Sequence, residues 1–545
     1  LRLTGSELHL NVGQVENKMP GHSDRSSYYI VGEGLCDTNL MEGCPVHSAA
    51  APAVAGAEPE FKFDRMWKEF PNEYKTEDYE NINRKLIELG QRMIAPPTVL
   101  QPASENPGDP GIPAGYTYLG QFIAHEITFD KTVPTTLPAP GMPLVPNYRS
   151  PSVDLDSLYG AGPVNDRKLY EDDGIRLKIG KTFNGDQMGL PCDLFRGEDK
   201  RAVIADERND ENLPVAQTQV ALIHFHNKVV EALKDSYAEG ELLKQVRDQV
   251  IRHVQWIILN DYLPRIIDSQ TLDSVRGHGL KWFRVTSRKD LFMPLEFSAA
   301  AFRIGHSMVR NSYQWNRDHH TAQFRRPASL GDIFAQTGKN GQLGGHPRLA
   351  NDWVIDWRRF YNFTELSHIP PVPENGFNMA RRIDTNLDLH IELIGGFDNQ
   401  GLADDRKSIT VRNLLTGFRV GLPTGEQVAE WIGGTPLTHA EVVGQSQLGD
   451  ILGDPVFKDK TPLWYYILRE AEIAAAQQPD VYHLGPVGSR IIAETLVGII
   501  KNSETSVLAD PDWSPRFGRP AVDGAPARFD MIDLLDFAGV VNPLG

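Results

Sequence analysis

The chain is poor in cysteine. Its 545 residues include three, Cys36, Cys44 and Cys192, and no CxxC pair. That excludes a disulfide framework; a single Cys36–Cys44 bridge and free thiols both stay open. Long apolar runs are missing as well. No stretch approaches the ~18 residues that a membrane-spanning helix needs. The first residues, starting at Leu1, carry no signal-peptide pattern. The expectation is a soluble chain without a transmembrane segment, cytoplasmic or secreted. There is no dense Lys/Arg run, and the net charge is −17. Such a field repels polyanions, so no nucleic-acid partner is expected. Internal repeats of 20–50 residues are absent too.

What is present is ordinary globular material. Apolar residues make up 40% and charged residues 23%, enough for a sizeable core. Residues 1–60 read as an extension, because SAAAPAVAGAEPE (48–60) is an Ala/Pro/Gly-rich linker. Residues 61–545 read as the main folded domain. Apolar periodicity predicts helices over 77–94 (with Gly90 as an interruption), 214–233, 241–259, 298–309, 425–432, 462–477 and 488–500. Pro214 suits a first helical turn. Strand signals are short and sparse. The expected fold is mainly α, with long loops and few short strands.

Four stretches carry side chains suited to chemistry. In GQFIAHEITFD (120–130), Gln121 and His125 are i and i+4 and share one helix face. HEITF is not HExxH, because position 129 is Phe, so a zincin site lacks its second ligand. His125 alone reads equally as a packed core histidine. In NYRSPSVDLDSLYG (147–160), Ser150, Ser152, Asp154 and Asp156 alternate. In extended chain they face one side, offering the oxygens that calcium takes; an Asx-rich turn with solvated acids is the other reading. In ADERNDENLPVAQ (205–217), Arg208 and Glu211 lie three apart, which also fits a surface ion pair. AAAFRIGHSMVRNSY (299–313) sets Arg303 and His306 on a small-residue helix, and Gly305 lets something flat come close. A plain helix–helix contact would use the same small residues.

Together, and in this order, these stretches resemble the animal-type haem peroxidases of the peroxidase–cyclooxygenase superfamily, in their bacterial form. A fifth stretch, VRNLLTGFRVGLPTG (411–425), resembles the segment whose asparagine supports the proximal histidine. The resemblance runs from about Phe61 to about Ile500. It implies a large helical domain around a buried b-type haem. His306 would be the axial iron ligand, Asn413 would accept its Nδ1–H, and Arg303 would sit on the proximal side. On the distal side, His125 would move the proton of hydrogen peroxide. Arg208 would stabilise the charge on the leaving oxygen, and Gln121 would hydrogen-bond within the cavity. Glu126, Ser150, Ser152, Asp154 and Asp156 would hold Ca²⁺ and anchor the distal helix. The donor would be a small phenol-like molecule, with halides or pseudohalides as a second class.

The chain departs from that family at three positions. Ala124 stands where an aspartate usually esterifies the haem, so one ester at most is expected, through Glu211. Asn212 replaces the methionine of the most halide-active members, and both changes argue against strong halide oxidation. Glu126 replaces an aspartate, lengthening that calcium ligand's reach. A fatty-acid dioxygenase or cyclooxygenase-like enzyme is the alternative. Such enzymes use a tyrosine shortly before the axial histidine, and SAAAFRIGH (298–306) has none; Tyr313 follows seven residues on. A non-haem metalloprotein would draw on HFH (224–226) or RDHH (317–320). The first pair splays apart on a helix, and the second reads as a solvated loop.

Overall fold

The computed structural model describes residues 61–68, 78–94, 111–129, 146–187, 189–319, 326–338, 342–372, 377–388, 408–444, 448–478, 480–520 and 527–545. The 1–60 extension, with Cys36 and Cys44, lies outside them. The longer helices are α1 (Tyr79–Arg92), α2 (Gly115–Ile127), α3 (Leu213–Leu233), α4 (Glu239–Ile257), α5 (Ser269–His278), α6 (Ile409–Arg419), α7 (Leu463–Gln477), α8 (Pro486–Lys501) and α9 (Met531–Ala538). Strands β1 (Phe61–Asp64), β2 (Pro146–Asn147) and β3 (Phe292–Pro294) form a small sheet in the order β2-β1-β3. The fold is mainly helical, as the periodicity implies.

Local chemistry accounts for the helix limits. In α1, Ile82, Leu86 and Leu89 are spaced to line one face, and all are buried. Each contributes ~1.5–3 kcal/mol by leaving water. Gly90 does not interrupt this helix. A Cβ there would lie 2.7 Å from the Val411 backbone, so glycine permits the close approach of α6. Helix α3 opens as predicted, with Pro214 in its first turn and Asn212 accepting a hydrogen bond from Val215 N at 3.1 Å.

Packing brings the site-bearing segments together. Helix α2 is buried along its whole length and packs against α3 and against the turn Gly305–Met308. Helix α6 packs on α1 and α7, and α7 also meets the turn Ala301–Ile304. The sheet closes one end of this arrangement: Phe61 pairs with Asn147, and Lys62 with Phe292. The Asn147 side chain accepts from Phe129 N at 2.8 Å and donates to Ile127 O at 3.0 Å. It therefore ties the C-terminal end of α2 to the loop that follows β2.

Two expectations need correction. Residues 298–309 are not one helix. Short turns at Leu295–Ser298, Ala301–Ile304 and Gly305–Met308 are broken at Ala300 (φ −138°, ψ −76°). The Arg303 guanidinium donates from Nε to Ser298 O at 3.1 Å, occupying a carbonyl that a continuous helix would use. A helix absent from the periodicity reading, α9, lies beyond Ile500. Helix α9 packs on α3, where Phe225 meets Phe517, Phe529 and Phe537 at ring-centroid distances of 5.6–6.2 Å.

Candidate active site

Helix α2 presents Gln121 and His125 one turn apart, and both are buried. The turn Glu207–Asp210, just before α3, sets Arg208 beside them. Arg208 and Glu211 are 0% and 1% exposed, so they are not a surface ion pair. Arg208 Nη2 donates to His125 O at 2.7 Å. His125 Nδ1 lies 2.8 Å from Asn209 Oδ1, and Asn209 Nδ2 donates to Gln219 Oε1 at 3.0 Å. That second bond fixes the amide, so its oxygen faces the ring. His125 is thereby the Nδ1–H tautomer, with the lone pair on Nε2. Gln121 Oε1 accepts from Asn212 Nδ2 at 2.9 Å, and its Nε2 is buried without a hydrogen-bond partner among the described residues.

Arg208 is held by Asp206, whose carboxylate accepts from its Nε at 2.9 Å and its Nη2 at 2.7 Å. The same carboxylate accepts from Arg149 Nε at 3.0 Å and Nη2 at 2.7 Å. Burial alone would push the Asp206 carboxyl up, but the two guanidiniums beside it hold it well below the usual carboxylate range. Phe129 covers Arg208, its ring centroid 4.6 Å from the guanidinium carbon.

Arg149 leads into the acidic loop. Ser150 Oγ is 2.6 Å from Ser152 Oγ, which donates to Asp154 Oδ2 at 2.9 Å. Leu155 takes a left-handed conformation (φ 59°) that turns Asp154 and Asp156 inward together. Glu126, next to His125, joins them; its Oε2 accepts from Ser157 N at 3.1 Å. Ligand atoms of Glu126, Asp154 and Asp156 all lie within 4.8 Å of one another. Glu126 Oε1, Asp154 Oδ1 and Asp156 Oδ1 are buried and accept no hydrogen bond among the described residues. Burial and the neighbouring carboxylates push Glu126 well up, and burial pushes Asp156 up to about 7. Three oxygens short of partners are a donor set that a hard cation fits. Arg149 and Arg288 stand 3.7 and 3.5 Å from Asp156 and Asp154. This cluster opens on a cavity of about 1010 Å³ lined by Ser150, Asp154, Asp156, Arg247 and Arg288.

On the turn Gly305–Met308, which packs against α2, His306 is fully buried. Its Nδ1 is 2.6 Å from Asn413 Nδ2, and Arg303 Nη1 donates to Asn413 Oδ1 at 2.5 Å. The three expected residues do meet, but the amide is turned from the expected direction. A guanidinium only donates, so Arg303 takes the amide oxygen and leaves the nitrogen facing the ring. A buried imidazole oriented by an amide is the donor chemistry of a haem ligand.

The histidine pairs of the non-haem reading do not assemble. His224 Nε2 is 2.6 Å from Pro191 O, while His226 bonds Tyr159 Oη and Ile175 O. His319 is not solvated: it is buried and stacked on Trp353 at 4.1 Å. His320 lies outside the described residues. Asp206, Asn209, Gln219 and Asn147 were not singled out from sequence. Asp206 and Asn209 sit in or beside a short turn, Asn147 in a two-residue strand and Gln219 within α3, where their roles carry no periodic signal; the nearest signal is an acid two residues before Arg208.

Residues 145–347 match the family described as animal haem peroxidase. That segment holds the acidic loop, Arg208, Glu211, Arg303 and His306, whereas His125 and Asn413 lie outside it. A peroxidase-like protein of Margaritifera margaritifera is 27% identical over 200 residues, 33% of this chain and 24% of that protein. The chorion peroxidase of Drosophila melanogaster is 29% identical over 178 residues, 31% of this chain and 22% of that protein. The match thus spans about a quarter of the length of these relatives. Peroxidase A of Dictyostelium discoideum shares the fold (TM-score 0.58, 14% identity, 90% of this chain and 93% of that one). So does a fatty acid alpha-dioxygenase of Oryza sativa (TM-score 0.51, 11% identity, 85% and 77%). Residues 145–347 thus match the animal haem peroxidase family, and the chain shares its fold with a peroxidase and a dioxygenase.

Asp206→Asn would leave the buried Arg208 and the partly exposed Arg149 short of their shared charge. The expected outcome is a loss of roughly 3 kcal/mol in unfolding free energy, measured by denaturant titration. A loss below a few tenths would refute the bridging role.

Proposed function

We propose that this haem peroxidase domain reduces hydrogen peroxide and oxidises small phenol-like donors. The observation that carries this reading is His125, whose ring Nδ1 faces Asn209 Oδ1 at 2.8 Å and whose backbone carbonyl accepts from Arg208 at 2.7 Å. His306 would hold a b-type haem, which supplies the iron that binds peroxide and stores its oxidising equivalents. As ligand through Nε2, His306 must keep its proton on Nδ1. Asn413 has the atom to accept it, the Oδ1 that Arg303 now occupies.

His125 Nε2 takes a proton from one peroxide oxygen and returns it to the other as that oxygen departs. Arg208 stays cationic throughout and stabilises the negative charge growing there. Gln121 Nε2 donates into the same space. Glu211, buried at the start of α3, is the carboxylate available for one ester to a haem methyl; Ala124 cannot form the other. Glu126, Asp154 and Asp156, with Ser150 and Ser152, would hold Ca²⁺ and pin the α2 backbone next to His125. Weak halide oxidation follows from Ala124 and Asn212, since fewer covalent links leave the haem less electron-poor. The alternative, a fatty-acid dioxygenase-like oxygenase, draws on the fold shared with the rice enzyme, but Arg303 occupies the segment where its tyrosine is needed.

Haem-loaded protein should show a Soret band that His306→Ala loses. Acid–organic extraction should leave haem on the wild-type chain and release it from Glu211→Gln; full release from the wild type would refute the ester. Stopped-flow mixing with peroxide should find His125→Ala slower by ~10²–10⁴, and Arg208→Ala slowed by less. An unchanged His125→Ala rate would sink the assigned role. Oxygen uptake on an unsaturated fatty acid, without guaiacol-type turnover, would favour the oxygenase. Calcium removal by chelator should lower Tm in the wild type but not in a Glu126→Gln/Asp154→Asn double variant; equal behaviour would reject the cation site.

A further inference from the structure

Helix α4 turns a mixed stripe toward the large cavity beside the acidic loop. Leu243, Arg247 and Ile251 stand at i, i+4 and i+8, so one guanidinium lies between two apolar side chains. All three line that cavity of about 1010 Å³. Arg247 is half-buried and lies over the Tyr159 ring, its guanidinium carbon 4.7 Å from the centroid. The ring beneath it is fixed in place. Tyr159 is buried, its hydroxyl is 3.0 Å from His226 Nδ1, and its carbonyl accepts from Tyr170 Oη at 2.9 Å. His226 Nε2 faces Ile175 O at 2.8 Å, so Nε2 carries the proton and Nδ1 accepts from the Tyr159 hydroxyl.

Arg247 stands apart from the other guanidiniums of this cavity. Arg149 has Asp206 and Asp156, and Arg288 has Asp154 and Glu504. Arg247 makes no ion pair and no hydrogen bond among the described residues. The chain has 72 acids against 55 lysines and arginines, so a half-buried arginine without a carboxylate is out of keeping with its surroundings. Two acids of the same cavity wall are engaged elsewhere: Asp248 accepts from Arg252 Nε at 3.1 Å, and Asp166 from Ala161 N at 2.7 Å. Lys168 and Lys244, both exposed, line the cavity and likewise have no carboxylate partner among the described residues. A guanidinium drawn partly out of water gains most from an anion that restores its hydrogen bonds. Its N–H donors form a rigid fork that matches the two oxygens of a carboxylate.

We propose that this cavity is a binding site, separate from the cluster of His125, Arg208 and His306, for a small aromatic carboxylate. The carboxylate takes the Arg247 fork, and the ring of the ligand lies along Leu243 and Ile251. Lys168 and Lys244 add positive potential that draws the anion in. The apolar wall gives an organic acid an advantage that inorganic phosphate does not share. His125, Arg208 and His306 are not among the residues lining the cavity, so the site stands whether or not the chain turns over peroxide.

The test is calorimetric titration of haem-loaded protein with benzoate, with benzyl alcohol and inorganic phosphate titrated alongside. Benzoate should bind saturably and more tightly than either, without moving the Soret band. Arg247→Gln should weaken benzoate about 10–100-fold, as expected for losing hydrogen bonds between charged groups. Arg247→Lys should weaken it by less, because the charge stays and the fork goes. Absence of benzoate binding, or an affinity unchanged in Arg247→Gln, overturns the site. Phosphate binding as tightly as benzoate marks a general anion site, and benzyl alcohol doing so marks an apolar cavity alone; either overturns the assignment of an aromatic carboxylate. A Soret shift on binding that persists in Arg247→Gln places benzoate at the haem and overturns it too. If Arg247→Gln does not fold, Arg247→Lys decides, and wild-type affinity there is the overturning result.

Discussion

One carboxylate organises the distal half of this protein. Asp206, itself buried, binds Arg149 and Arg208 at once. A lone buried guanidinium costs several kcal/mol. Two of them sharing one anion remain short of balance, and the remainder is made up by Phe129 over Arg208 and by Asp156 near Arg149. The acidic loop and the catalytic-type arginine are thus parts of one charge network. Neither can shift without the other adjusting.

The helices were legible from periodicity because each buries one stripe against a neighbour. Helix α3 shows this best, with proline, cap and apolar face all in agreement. The segment around His306 failed the same test for a stated reason: a side chain, Arg303, competes for the backbone carbonyl that would continue the helix. Propensity cannot see that, because Ser298 and Arg303 are brought together by turns of the backbone rather than by a repeat. Helix α9 escaped notice because its interest lies in what it covers, the aromatic face of α3.

The site was legible as residues but not as connections. Gln121, His125, Arg208, His306 and Asn413 could be picked out by motif. The groups that set their protonation and orientation could not. Asn209 decides which nitrogen of His125 is basic, and Gln219 decides which way Asn209 faces. Such partners sit in turns or on other helices, where type and spacing carry no signal. At Asn413 the motif foretold the meeting with His306 but not the rival claim of Arg303 on the amide oxygen.

The short sheet bears on how the molecule comes to be built. Strand β1 pairs in parallel with β3, more than two hundred residues downstream. Parallel pairing across such a span waits until the later strand has emerged from the ribosome. Until then β1 lacks half its partners, and the grip of Asn147 on the end of α2 has no firm base. The β1–β3 pairing thus closes only once the chain has been made to residue 294 of 545, past the midpoint.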